Sequence, residues 1–171
     1  KEVEEILLAG RRAKQMPPET VVGKEKNGWS ELIESYDLMV QNYRLISSAG
    51  RILWPVGGPE HSIAAVSVDN KGRVLFILCQ EPLTSVRFAF YLRSFSLGLG
   101  TVLYVEGGAQ AGIFVRLDSA DKHRVLPGAS PIAVDGGTGY VWYGRQNLLN
   151  LKGIPHAALP SIIGVTRLPK L

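Results

Sequence analysis

One carboxylate set at the start of a glycine pair is the most chemically suggestive arrangement in this sequence. Val102, Leu103, Tyr104 and Val105 form a β-prone apolar run that delivers Glu106 into Gly107-Gly108, and the chain leaves through a second apolar run at residues 113–115. Without a Cβ, glycine lets the main chain bend sharply and approach a ligand closely, and successive amides in such a turn can form an anion-binding nest. An acid beside bare amide donors suits phosphate or sugar chemistry. The same segment also reads as a plain turn between two strands, and spacing alone leaves both readings open.

Competing constellations are thinner. Asp135-Gly136-Gly137-Thr138-Gly139 imitates the acid-glycine pattern but lies between alternating apolar arms, as a hairpin turn would. Asp118 and Asp121 share a polar loop and read as solvated side chains rather than a calcium site, and His123 and His156 lack zinc-ligand spacing. Cys79 is the single cysteine, so it forms no intrachain disulfide, and within VLFILC it reads as a small buried hydrophobe. Neither a phosphate-binding loop of the G-x-x-x-x-G-K-[ST] type nor a G-x-S-x-G nucleophile turn occurs. No metal and no cofactor is therefore expected.

The elements that must position Glu106 follow from pattern. The 171 residues suffice for one domain with a real core, and 46% apolar with 20% charged residues is a globular profile. The formal charge of +4 is spread along the chain, which gives nucleic-acid binding little support, and no apolar run is long enough to span a membrane. Residues 1–30 read as a lead-in: a helix over 1–16, with Val3, Ile6 and Leu7 on one side, stopped by Pro17-Pro18, then a polar loop. A short helix over 29–36 capped by Ser30 precedes a strand ending at Ile46, and residues 51–54 return after the turn at 47–50. Residues 62–69 and 73–80 flank Asn70-Lys71-Gly72 as a hairpin whose second arm looks buried on both faces. Val86, Phe88, Ala89, Leu92 and Phe95 then repeat at helical spacing behind Thr84 or Ser85 as N-cap, with Gly98 past the end. Further strands follow the glycine pair, a hairpin joins 131–134 to 140–143, and residues 161–167 close the chain as a strand. The expected class is α+β, a mixed and mostly antiparallel sheet with two or three packing helices.

The order of these pieces resembles the phosphodiester glycosidase family, whose namesake enzyme uncovers mannose 6-phosphate by removing N-acetylglucosamine, and especially its bacterial relatives linked to exopolysaccharides. Gln41-Asn42-Tyr43-Arg44-Leu45-Ile46 with Gly50 is similar to the family's Q-S-[FY]-P-x-L-[IV] strand and glycine turn. His61 to Val66 with Asp69 and Gly72 resembles its R-[ST]-A-I-G-V strand and D-x-x-G turn, and residues 82–98 resemble the helix that comes next. Residues 102–108 resemble the signature A-L-[YN]-L-D-G-G, and residues 159–167 the P-N-[VI]-I-G-[VI] close. The chain departs at His61, where the family has arginine, at Glu106, where it has aspartate, and near Gln110, where it has serine. The amino-terminal strands of a full member are not evident, so residues 1–171 read as one such domain lacking its amino-terminal part.

The resemblance implies hydrolysis of a sugar-phosphodiester or related glycosidic linkage outside the cytoplasm, in the periplasm, the envelope or the medium. Glu106 would be the catalytic acid with His61 beside it, and Gly107, Gly108, Gln110, Gln41 and Arg44 would bind a carbohydrate or sugar-phosphate ligand. Arginine-to-histidine loses a permanent bidentate donor, and aspartate-to-glutamate moves a carboxylate by about one methylene. The competing expectation is thus a module that has lost catalysis and binds glycan or scaffolds an envelope assembly, with a protein partner completing its sheet.

Overall fold

The computed structural model describes residues 4–11, 20–23, 28–117, 130–134 and 137–143. In chain order the elements are β1 (Glu4–Arg11), β2 (Thr20–Gly23), α1 (Trp29–Ile33), β3 (Tyr36–Ile46), β4 (His61–Asp69), β5 (Val74–Leu83), α2 (Ser85–Ser94), β6 (Leu99–Gly107), a 3-10 turn (Gly108–Gln110), β7 (Gly112–Leu117), β8 (Ser130–Val134) and β9 (Gly137–Tyr143). A six-stranded sheet runs β2-β1-β3-β6-β4-β5 and a three-stranded one runs β7-β9-β8, with every neighbouring pair antiparallel. The architecture is mostly antiparallel sheet with few helices.

β4 is a buried inner strand of the larger sheet, one place in from the β5 edge. Ile63, Ala65 and Val66 are almost fully covered, and β5 and β6 flank the strand on either side. Its two serines lose water but keep hydrogen bonds: Ser62 Oγ donates to Gln80 O (2.8 Å) and Ser67 Oγ to Thr101 O (3.0 Å), tying β4 to both neighbours. The hairpin into β5 turns on Asp69. Its Oδ1 accepts from Lys71 N and Arg73 N, and its Oδ2 accepts from the Arg73 guanidinium at 2.7 Å, while Gly72 takes φ +74°. The Arg73 amide leads these donors in holding the Asp69 carboxyl below its ordinary range against the opposing effect of burial. Stability from this turn is therefore present at neutral pH and is lost as pH falls through the depressed value.

α2 packs on one face of this sheet. Thr84 Oγ1 caps it by accepting from Arg87 N (3.3 Å), and Val86, Phe88, Ala89 and Leu92 form its buried side. Phe88 and Leu92 meet Leu45, Ile63, Ala65 and Val102, and each of these side chains larger than alanine contributes about 1.5–3 kcal/mol by leaving water. The opposite face carries Val66 and Leu103, both fully buried, with Val40, Val68, Val74 and Val105 around them. β2 comes into contact with β4 although β1, β3 and β6 lie between them. In a flat sheet those strands would stand about 19 Å apart. The sheet is therefore strongly curled, bringing β2 back towards β4.

Several expectations are corrected. Residues 4–11 and 20–23, read as a helix and a loop, are strands: β1 pairs with β3 from Glu4↔Tyr43 to Arg11↔Tyr36 and with β2 from Glu5↔Gly23 to Leu8↔Thr20. An apolar run as short as Ile6-Leu7-Leu8-Ala9 suits either period, and the long exposed edge of β3 decides between them. α1 starts from Gly28 at φ +80° with no side-chain cap, so Ser30 lies inside the helix. The return at 51–54 shrinks to a single Ile46↔Ile52 bridge. The second hairpin arm, expected to be buried on both faces, is β5, the half-buried sheet edge, whereas β4, one place in, is the buried arm. The strand, glycine turn and strand expected around Glu106 are β6, the 3-10 turn and β7, and the turn passes the chain from one sheet to the other. The β8–β9 hairpin pairs from Ser130↔Val141 to Val134↔Gly137. Asp118, Asp121, His123, Asp135, Gly136, His156 and the closing strand at 161–167 lie outside the described residues.

Candidate functional site

The end of β6 sits beside β4 and β3. The register pairs Ala65 with Tyr104 but Ala64 with Glu106, so Val105 is an extra residue and β6 carries a bulge there. Residues opposite one another share a face of a sheet, and along β4 Ala65 faces α2 while Val66 faces away. Tyr104 therefore lies on the α2 face, and Val105 and Glu106 leave on the other. Packing agrees: Tyr104 joins the cluster around Phe88, and Val105 joins Leu103 and Val66. Gly107, opposite Ile63, returns to the α2 face.

A group of rings meets Gly107 there. The Trp54 and Tyr104 rings lie 5.0 Å apart at 31°, and the His61 ring stands edge-on to Tyr104 at 6.3 Å and 82°. All three are half-buried. A Cβ on Gly107 would fall 2.8 Å from His61 Cε1 and 2.9 Å from His61 Nδ1, and would collide with the Tyr104 hydroxyl. Gly107 has φ −136°, a conformation open to any residue, so glycine is needed here for close approach. Gly108, at φ +67°, supplies the bend.

Hydrogen bonds fix these rings. Trp54 Nε1 donates to Arg44 O (3.1 Å), and His61 Nδ1 lies 3.0 Å from Ser62 O. A carbonyl only accepts, so Nδ1 is the donor of this contact and Nε2 is the ring nitrogen left to meet a ligand. Burial, with a smaller contribution from the Glu106 charge, pushes the Tyr104 phenol up to about 12. It is a neutral donor at any physiological pH. A spectrophotometric titration should show one tyrosine ionising about two units above the ordinary value of about 10. Because the folded value is the raised one, stability is complete below pH 10 and declines as pH climbs toward 12.

Glu106 behaves differently from its expected partner. Its Oε1 accepts from the Gly107 amide at 2.9 Å, so the acid and the first glycine donor satisfy one another. Of the expected site residues, the structure brings His61 against Gly107, whereas the bulge sends Glu106 to the face shared by Leu103 and its β3 partner Arg44. Arg44 is half-buried, and Gln41, farther along β3 where it pairs with β1, is exposed. Gln110 is exposed in the 3-10 turn, and Gly108 O accepts from Ala111 N (3.2 Å). Asn42, which had no assigned role, donates from Nδ2 to Val105 O (3.1 Å) and so holds the bulge from β3. The sequence pattern marks Tyr104 and Trp54 only as strand residues, although two aromatics near the candidate acid and histidine are a usable signal.

No family model, curated protein or solved structure matches the chain. The likeness to phosphodiester glycosidases thus rests on motif order alone. Among the described residues there is no group of three His, Cys, Asp or Glu side chains placed to hold a metal. Cys79 is half-buried, its thiol reaches Glu81 O at 3.3 Å, and burial raises its pKa, which keeps it a poor nucleophile.

Proposed function

We propose that this chain recognises a sugar or sugar phosphate at the ring cluster beside Gly107, and that recognition there is not coupled to hydrolysis. What supports the reading is the Trp54–Tyr104–His61 array at the mouth of the glycine turn. Fixed aromatic faces accept the C–H face of a pyranose, and the Tyr104 hydroxyl and a His61 ring nitrogen add polar groups that orient it. The position of Glu106 weighs against coupled hydrolysis. A general acid must reach the leaving oxygen, and this carboxylate is engaged by the Gly107 amide on the face away from His61. The resembled family adds the setting, glycan handling in the bacterial envelope.

Hydrolysis of a sugar phosphodiester is the second reading. Glu106 would protonate the bridging oxygen while water attacks the sugar carbon, and the C–O bond to phosphate would break. One set of titrations separates the two. The chain should bind N-acetylglucosamine 1-phosphate, Trp54→Ala should weaken binding at least about tenfold, and Glu106→Gln should leave it unchanged. An aryl diester of the same sugar phosphate should persist in the presence of the chain. Turnover of that diester, abolished in Glu106→Gln, would replace recognition with hydrolysis.

A further inference from the structure

The outward side of α2 is not uniformly polar, as that of a solvated helix on a sheet would be: aromatic rings interrupt Arg87, Arg93 and Ser94. Phe90 is 59% exposed and Tyr91 51%, and past the helix end Phe95 and Leu97 are 58% and 46% exposed. Arg87, Phe90, Tyr91 and Ser94 share one shallow concavity of about 340 Å³. Arg93 and Phe95 line the next one along the same helix. Arg87 and Arg93 are the sole charged residues between Pro82 and Val105. The helix itself therefore contributes aromatic and basic side chains and no acid, and Glu60, paired with Arg87, is an acid beside it.

We propose that α2 docks this chain in the plane of an anionic lipid surface. Phe90, Tyr91, Phe95 and Leu97 enter the headgroup region, and Arg87 and Arg93 meet lipid phosphates. Aromatic side chains flanked by arginines favour that interface, and guanidinium forks suit phosphate oxygens. Charge complementarity selects this occupant over a second copy. A two-fold contact through α2 would set Arg87 and Arg93 against their own copies, with Glu60 the acid at hand. Glu60 already pairs with Arg87 at 3.1 Å, both side chains being more than half exposed. Such a surface pair is weak and yields readily to a phosphate.

Co-sedimentation of the full chain with vesicles tests this. Vesicles of equal parts phosphatidylglycerol and phosphatidylcholine should capture the chain at least about tenfold better than phosphatidylcholine alone, and added salt should release it. Phe90→Ser with Tyr91→Ser should cut capture at least about tenfold, and so should Arg93→Glu, a single change at an exposed position. Circular dichroism of each variant checks that the fold persists. Equal capture by both vesicle types, no capture, or capture that neither variant alters would overturn the proposal. So would self-association that the Phe90/Tyr91 variant abolishes, which would assign the face to a second copy.

Discussion

Gly107→Ala is expected to destabilise the chain by about 1–3 kcal/mol and to abolish sugar binding, although alanine fits the backbone at that position. The added methyl would fall on the Tyr104 hydroxyl and within 2.8–2.9 Å of the His61 ring. Neither neighbour can yield cheaply. Tyr104 is backed by Trp54, whose indole is tied to Arg44 O, and His61 is held through Nδ1 to Ser62 O. Tyr104→Phe alone removes the nearest obstructing atom and should cost little stability. The pair Gly107→Ala with Tyr104→Phe should recover part of the loss, a coupling of about 0.5–3 kcal/mol. Denaturant unfolding of the four proteins gives that coupling. Additive effects would mean that Gly107 and Tyr104 do not touch.

Ile63→Ala should be the more damaging change, at about 2–5 kcal/mol. Ile63 is fully buried, lies opposite both Cys79 on β5 and Gly107 on β6, and packs in the cluster with Phe88 and Leu92. Its removal leaves a void under the ring cluster and between α2 and the sheet. Sugar affinity should fall along with stability, because Tyr104 packs against the same cluster. Ile63→Val, which deletes one methylene, should cost about 0.5–1.5 kcal/mol and spare binding. The unfolding midpoint should drop with an unchanged denaturant slope. A wild-type midpoint for Ile63→Ala would show that this cluster is not the core.

The parts of the fold that were legible from sequence are those specified locally. Asp69 to Arg73 encodes its own turn through one carboxylate and one glycine, and the β4–β5 hairpin follows from it. α2 announces itself through the repeat of Val86, Phe88, Ala89 and Leu92 and through the Thr84 cap. What depends on distant partners was not legible. β1 becomes a strand because β3 offers it an edge, and the residues it pairs with lie far along the chain. β5 and β4 have similar apolar content, and only the sheet order says which is the edge and which lies inside it.

The site divides in the same way. His61 and Gly107 were singled out by residue type, and the register brings them together. Glu106 was singled out equally well, but one extra residue at Val105 turns its side chain to the other face. A bulge of that kind leaves no mark in an apolar run, because Val105 suits either side of a sheet buried on both. Trp54 and Tyr104 follow from strand pairing and from the isolated Ile46↔Ile52 bridge just before Trp54, neither of which spacing reveals.

The claim that sugar is recognised at these rings is tested most directly by the indole N–H resonance of Trp54 in the ¹⁵N-labelled chain, assigned with Trp54→Phe, as N-acetylglucosamine 1-phosphate is added. That resonance and the Gly107 amide should move together along one saturable curve, because both belong to the same ring cluster. If both stay fixed while the sugar phosphate shifts other residues, or shifts none, the ring cluster is packing and not a binding site.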